Sequence, residues 1–314
     1  MNQNIESSTT KTSEIDLHQA FDVIQIGPNK FRGKSPLTKP HVLNRGAYGG
    51  NLVAQAILVA IKTSPAGFKP HSLHSYFVKG VNDITPLDWE VEEISNGRSF
   101  VNRIVKGIQN DIVVYIANIS LTNRNSHREA VKNGESPFQF QTPEDSYIQK
   151  ARIQDLPVDD TNEKIFLHIK TFPEVKRSTT IEPTRKLSYL VKWGLPKPGS
   201  TDVQELQPLE DPIYQFLGLS SISDWISLEY LINHIGIDSS QLPRHTVSLD
   251  HSIYYHDDDF DATKWMAYSM KLVRIGLGRV LVEGEIYNDK GVHVASVVQE
   301  RLYLINGRQK KSKL

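Results

Sequence analysis

Three polar side chains in this 314-residue chain sit where the surrounding pattern is apolar. Asp224 opens SDWISLEYLINHIG (223–236), which reads as a largely apolar helix with Ser223 as N-cap, ending at Gly236. Ser248 stands between Val247 and Leu249 in a strand-like stretch. Gln299 follows Ala295-Ser296-Val297-Val298 in what reads as a central strand. A carboxylate can take a proton, a hydroxyl can attack or hold a water, and an amide can donate and accept at once. Each also has an ordinary structural reading: an acid favoured at a helix start, a half-exposed strand hydroxyl, and a core amide satisfied by neighbours. None of the three is specific alone.

The familiar alternatives are missing from the chain. There is no cysteine, which removes disulfides, cysteine-ligated metals and cysteine nucleophiles and fits a reducing compartment. Gly218-Leu219-Ser220-Ser221-Ile222 lacks the closing glycine of a nucleophile elbow, and Gly276-Leu277-Gly278 is better explained as a hairpin turn than as a phosphate loop. His251, His256 and Asp257 to Asp259 invite a metal reading, but strand alternation puts 251 and 256 on opposite faces. Lys plus Arg balances Asp plus Glu at 36 each, so a nucleic-acid partner is not expected. No apolar run reaches the ~18 residues of a membrane span, and the polar N-terminus has no leader-like apolar region. The chain ends Ser312-Lys313-Leu314, preceded by Lys310 and Lys311, which reads as an address for the peroxisomal import receptor.

The elements that must hold such a trio are legible in outline. LVAQAILVAI (52–61) is apolar on every side, interrupted only by Gln55, so it predicts a helix surrounded by protein. Gly49-Gly50 precede it and Pro65 follows. Strands are predicted over 21–33 (strand or hairpin), 71–80, 86–94, 98–109 and 112–121, with turns at Asn96-Gly97 and Asn110-Asp111. A sheet curling around one helix would explain that helix's lack of a polar face. The order then recurs: a strand at 187–195, the helix at 223–236, and strands at 244–256, 264–273, 279–289 and 292–305. Placing His71 on His245, an offset of 174, aligns the two halves as a tandem duplication. The predicted organisation is a tail (1–18), a first domain (19–122), a connector (123–186), a second domain (187–306) and a C-terminal tail (307–314). Within the connector, 144–154 could be a surface helix and 162–170 a strand or short helix.

Two blocks carry a family resemblance. Ala47-Tyr48-Gly49-Gly50-Asn51-Leu52-Val53-Ala54-Gln55-Ala56, Ser72-Leu73-His74-Ser75-Tyr76-Phe77 and Asn96-Gly97-Arg98-Ser99-Phe100 closely resemble the N-terminal half of type II (TesB-like) acyl-CoA thioesterases, in their peroxisomal branch. Ser248-Leu249-Asp250-His251-Ser252-Ile253-Tyr254-Tyr255-His256 and Ala295-Ser296-Val297-Val298-Gln299-Glu300 resemble the C-terminal half. The resemblance implies an α+β double hotdog, two antiparallel sheets each wrapped around a long helix. It also implies hydrolysis of fatty acyl-CoA, no metal or redox cofactor, and a homodimer or higher assembly. The family's catalytic Asp, Thr or Ser, and Gln fall on Asp224, Ser248 and Gln299, with Asp250 as the nearest rival for the carboxylate.

Such a trio suits a thioester. The leaving thiolate has a parent pKa of about 8.5 and departs with little protonation. A positioned water, an acceptor for its proton and donors for the oxyanion then suffice, and N–H groups near a helix start could be those donors. Ser248 as a covalent nucleophile lacks an identifiable histidine base. The offset places Asp224 opposite Gly50, and the turns place Gln299 opposite Leu121, so one site per chain is expected, on the second half. His74, Arg98 and Tyr48-Gly49-Gly50 are then expected to be packing and turn residues. Two rival readings remain: a non-catalytic acyl-CoA binding protein, and a hotdog enoyl-CoA hydratase, which would call for an Asp/His pair.

Overall fold

The computed structural model describes residues 16–144, 148, 153–172, 186–226, 228, 231–232 and 245–304. Helix α1 (Leu17–Phe21) is capped by Asp16, whose carboxylate accepts the His18 N–H. A hairpin follows, β1 (Val23–Gly27) and β2 (Lys30–Gly33), and then the apolar run forms helix α2 (Gly49–Lys62). Every residue of α2 from Gly50 to Ala60 is buried, as a helix without a polar face requires. Its one long polar side chain, Gln55, is satisfied inside the core. Its Nε2 donates to Phe21 O, and its Oε1 accepts from Trp89 Nε1.

Strands β3 (Lys69–Phe77), β4 (Asp88–Asn96), β5 (Phe100–Gln109) and β6 (Ile112–Thr122) complete the first half. Asn110 and Asp111 both take positive φ, 53° and 60°, which makes the tight turn between β5 and β6. A short helix α3 (His127–Lys132) follows. The stretch read as connector then contributes two strands of its own, β7 (Asp160–Asn162) and β8 (Leu167–Thr171), and β8 pairs with β9 (Leu187–Trp193). The sheet around the second helix therefore begins upstream of residue 187. The expected surface helix at 144–154 falls largely outside the described residues.

The second buried helix is not where the sequence pattern put it. Helix α4 spans Ile213–Ser223, Asp224 is its C-cap, and Ser223 is its last helical residue rather than an N-cap. Of the predicted 223–236 helix, Leu228, Leu231 and Ile232 are helical, Asp224 to Ile226 are not, and Gly236 lies outside the described residues. The physical reason is burial. Ser220 and Ser223 turn their hydroxyls back onto Phe216 O and Ser220 O, so a Ser-rich segment of modest propensity is stabilised once protein surrounds it. The single offset of 174 consequently maps α2 onto the wrong segment; α2 and α4 start at 49 and 213.

The remaining strands are β10 (His245–Ser248), β11 (Asp250–Tyr255), β12 (Met266–Gly276), β13 (Arg279–Tyr287) and β14 (His293–Leu304). One 14-stranded sheet runs β1-β2-β4-β5-β6-β3-β11-β14-β13-β12-β9-β8-β7, with β10 paired to β14. Its seam is the antiparallel pair β3–β11, where Leu73 faces Ile253 and His74 faces Ser252. Asn125 ties the halves further by donating to Pro70 O and Tyr255 O. On the concave side α2 and α4 pack directly on one another. A Cβ on Gly50 would stand 2.4 Å from Ser221 O, so glycine is what allows that approach.

Candidate active site

Asp224 sits in a turn held from four elements. Tyr48, at the N-cap of α2, donates its hydroxyl to Ser221 O at 2.8 Å. Tyr268 of β12 donates to Ser223 O at 2.8 Å, and Tyr189 of β9 donates to Trp225 O. Arg301 of β14 donates to Ile226 O at 3.1 Å. These partners take carbonyls that the end of a helix leaves unsatisfied. Burial, with the Asp224 carboxylate close by, pushes the Tyr48 hydroxyl well above its ordinary pKa, so it stays a donor.

An acid at the C-terminal end of α4 is disfavoured by that helix's own dipole. The N-terminus of α2 supplies the opposite field. Asp224 Oδ2 lies 2.6 Å from where a Cβ on Gly49 would be, and the Gly49 and Gly50 N–H groups have no acceptor among the described residues. Asp224 is only 2% exposed, so it depends on these neighbours and on direct hydrogen bonds.

The other two candidates reach the same carboxylate. Ser248 ends β10 opposite Arg301, and Gln299 lies two residues before Arg301 on the same face of β14. Gln299 Nε2 donates to Asp224 Oδ1 at 2.5 Å and to Ser248 Oγ at 2.8 Å. Ser248 Oγ stands 3.4 Å from both Asp224 Oδ1 and Arg301 Nε. Gln299 Oε1 is buried without a hydrogen-bond partner among the described residues. The structure thus brings Asp224, Ser248 and Gln299 together across 75 residues of chain.

Asp250 does not join them; its Oδ1 accepts the Glu300 N–H at 2.8 Å. His251 is fully buried beneath the site, with Nε2 2.9 Å from Ser223 Oγ, and burial lowers its pKa to about 4. It is neutral and points at a serine rather than at Ser248. Among the described residues no group of three or more His, Asp or Glu could hold a metal ion, and no helix is long and apolar enough to cross a membrane. Ser312, Lys313 and Leu314 lie outside the described residues.

Tyr48, Gly49 and Gly50, expected to be packing and turn residues, pack against the Asp224 turn, and their place beside Asp224 was not read from the sequence. The apolar run starting right after Gly49-Gly50 marks a helix N-terminus, which was the available signal. Arg301 could have been found by alternation from Gln299. Nothing local marks Tyr189 or Tyr268.

The chain resembles known proteins along most of its length. Residues 38–122 match the model of the acyl-CoA thioesterase N-terminal domain, and 196–303 match that of the C-terminal domain. The peroxisomal acyl-coenzyme A thioester hydrolase 1 of Saccharomyces cerevisiae is 23% identical over 96% of this chain and 98% of its own. Acyl-CoA thioesterase 2 of Haemophilus influenzae is 29% identical over 82% and 87%. Among solved structures, the acyl-CoA thioesterase II TesB2 of Mycobacterium marinum superposes with a TM-score of 0.71 at 22% identity, covering 92% of this chain and 98% of that one. A hot dog fold protein of Alicyclobacillus acidocaldarius gives 0.67 at 14% identity, over 91% and 97%. The architecture is therefore a double hotdog. With both domain models matched in tandem, the chain belongs to the acyl-CoA thioesterase family and is an acyl-CoA thioester hydrolase.

Proposed function

We infer that the chain hydrolyses fatty acyl-CoA with a water activated by Asp224 and held by Ser248 and Gln299. The single observation that carries this reading is the convergence of Ser248 and Gln299 on Asp224 Oδ1, beside the N-terminus of α2. Asp224 Oδ2 takes the water proton as the water oxygen bonds to the thioester carbon. Gln299 Oε1 and Ser248 Oγ accept or orient the water's hydrogens. The carbonyl oxygen, gaining negative charge, lies against the Gly49 and Gly50 N–H groups at the positive end of α2. Collapse breaks the C–S bond, and the thiolate departs and takes up the proton from Asp224. Ser248 has no histidine in hydrogen-bond reach among the described residues, which favours attack by water over an acyl-enzyme.

Asp224→Ala should lower kcat about a thousandfold in an assay of CoA thiol release, within the general-base range. Ser248→Thr should retain most activity. Normal turnover in Asp224→Ala, or an acyl group trapped on Ser248, would end the proposal. A binding-only role is disfavoured by the assembled polar trio, and a hydratase role by a His251 that faces Ser223.

Residence in the peroxisomal matrix is supported by the similarity to the yeast peroxisomal hydrolase, and the import receptor would engage Ser312-Lys313-Leu314. A fluorescent fusion should be punctate, and deletion of 312–314 should make it diffuse; unchanged puncta would remove the tripeptide from the account. A homodimer or larger assembly is supported by exposed Tyr76, Ile116 and Tyr254 along the outer face of the seam. Light scattering of the pure chain tests it.

A further inference from the structure

The outer face of β8, β9 and β12 holds two lysines with little to bind. Lys170 is 0% exposed and Lys192 1%. Their ammonium groups stand 4.8 Å and 4.4 Å from the centre of the same Trp265 ring. Each has one protein acceptor: Ile153 O at 2.9 Å for Lys170 and Gln204 O at 3.0 Å for Lys192. An ammonium offers three donors, and a buried cation normally has a carboxylate partner. No carboxylate among the described residues is within ion-pairing distance of either. The ring quadrupole offsets part of the cost, but two like charges remain side by side. Burial and the neighbouring Lys170 charge lower Lys192 to about 8.

Lys192 and Trp265 line a cavity of about 310 Å³, together with Lys197, Lys264, Leu206 and Thr263. At the rim Lys197 is paired with Glu205, and Lys264 with Asp289 at 3.4 Å. Both pairs are solvent-exposed and worth little, so they yield easily to a stronger anion. The cavity is separate from the thioester site. Tyr189 and Tyr268 point inward to the Asp224 turn. Lys192, three residues along β9 from Tyr189, points to the opposite face, and Trp265, just before β12, lies against it there.

We propose that this cavity is a second ligand site, built for a small phosphate-bearing anion. Phosphate fits the donor set better than a carboxylate does, because the Lys192 ammonium has no carboxylate partner, Lys197 and Lys264 stand beside it in weak exposed pairs, and a phosphate group brings three or more acceptor oxygens. Inorganic pyrophosphate and the diphosphate of an adenine nucleotide share that chemistry.

The test is thermal unfolding and calorimetric titration of the full chain with pyrophosphate and, separately, with ADP. At about a hundred times its dissociation constant, either ligand should raise the unfolding midpoint by about 3–6 °C. Lys192→Met should weaken binding about tenfold or more while leaving acyl-CoA hydrolysis unchanged. Glu205→Ala, on the exposed rim and without risk to folding, should tighten binding a few-fold by removing the opposing charge. Binding of both ligands, or of ADP alone, supports the site; the second outcome assigns it to the nucleotide. Absence of any effect on the wild type overturns it. So does binding that is unchanged in Lys192→Met, or not tightened in Glu205→Ala.

Discussion

At the end of α2 the last turn closes on itself. Thr63 Oγ1 bonds back to Val59 O and Ala60 O, and the fully buried Arg103 donates to Thr63 O at 2.7 Å. Arg103 also takes Ser95 O, Asn102 O and Asn96 Oδ1, so one guanidinium seals that corner of the first half. At the end of α4, the matching place in the second half, the cap is a carboxylate and the packing residues are polar. Where β6 places Leu121 against Val101, β14 places Gln299 against Val282. The fold is nearly the same at both ends, yet only one carries the carboxylate, hydroxyl and amide on which the proposed mechanism rests. Duplication supplied two frames, and the identity of a few inward side chains decides which frame has chemistry.

The comparison can be broken most forcefully at the sealed end. Arg103→Met removes four hydrogen bonds and should cost about 4 kcal/mol in urea denaturation, with kcat per folded molecule unchanged. A loss of turnover in the folded fraction would show that the two ends are coupled. The floor of the active end responds to acid instead. His251 is held near pKa 4 against an ordinary 6.5, so the unfolded chain binds the extra proton between those values. Its contribution, about 3 kcal/mol, is present above pH 6.5 and is lost as pH falls toward 4. His251→Asn should flatten unfolding midpoints measured over that window, and an unchanged slope would assign the acid sensitivity to other groups.

Gln299→Leu makes the active end resemble the sealed one. It should lower kcat about a hundredfold and also lower the unfolding midpoint, since the buried Asp224 carboxylate loses the Nε2 donor at 2.5 Å. The smallest effect is expected at Gly49→Ala. The new Cβ would meet Asp224 Oδ2 at 2.6 Å and the Phe77 ring at 3.0 Å. The carboxylate must shift, at a cost of about tenfold in kcat with KM little changed. Full activity in that variant would remove the α2 N-terminus from the mechanism.

Much of this molecule was open to local reading. The α2 run has no polar face, so its enclosure followed from the residues alone; the strands showed their alternation, and Asn110-Asp111 their turn. Helix α4 was not legible, because IYQFLGLSSIS carries a glycine and three serines, while the segment after it is evenly apolar and helix-like. Asp224 stands at the end of one helix, where its local pattern had put it at the start of another. Local rules place an acid at a helix start, and only the approach of a second helix's N-terminus makes its real position tolerable.

By itself the sequence determined that α2 would be enclosed, that β4, β5 and β6 follow one another as neighbours, and which polar side chains had to find partners inside. Tertiary structure alone decided that a cap on α4, the last residue of β10 and the middle of β14 meet beside the start of α2. Propensity and alternation act over a few residues, whereas that meeting depends on strand register and on how closely two helices can pack, which is set by contacts between remote parts of the chain.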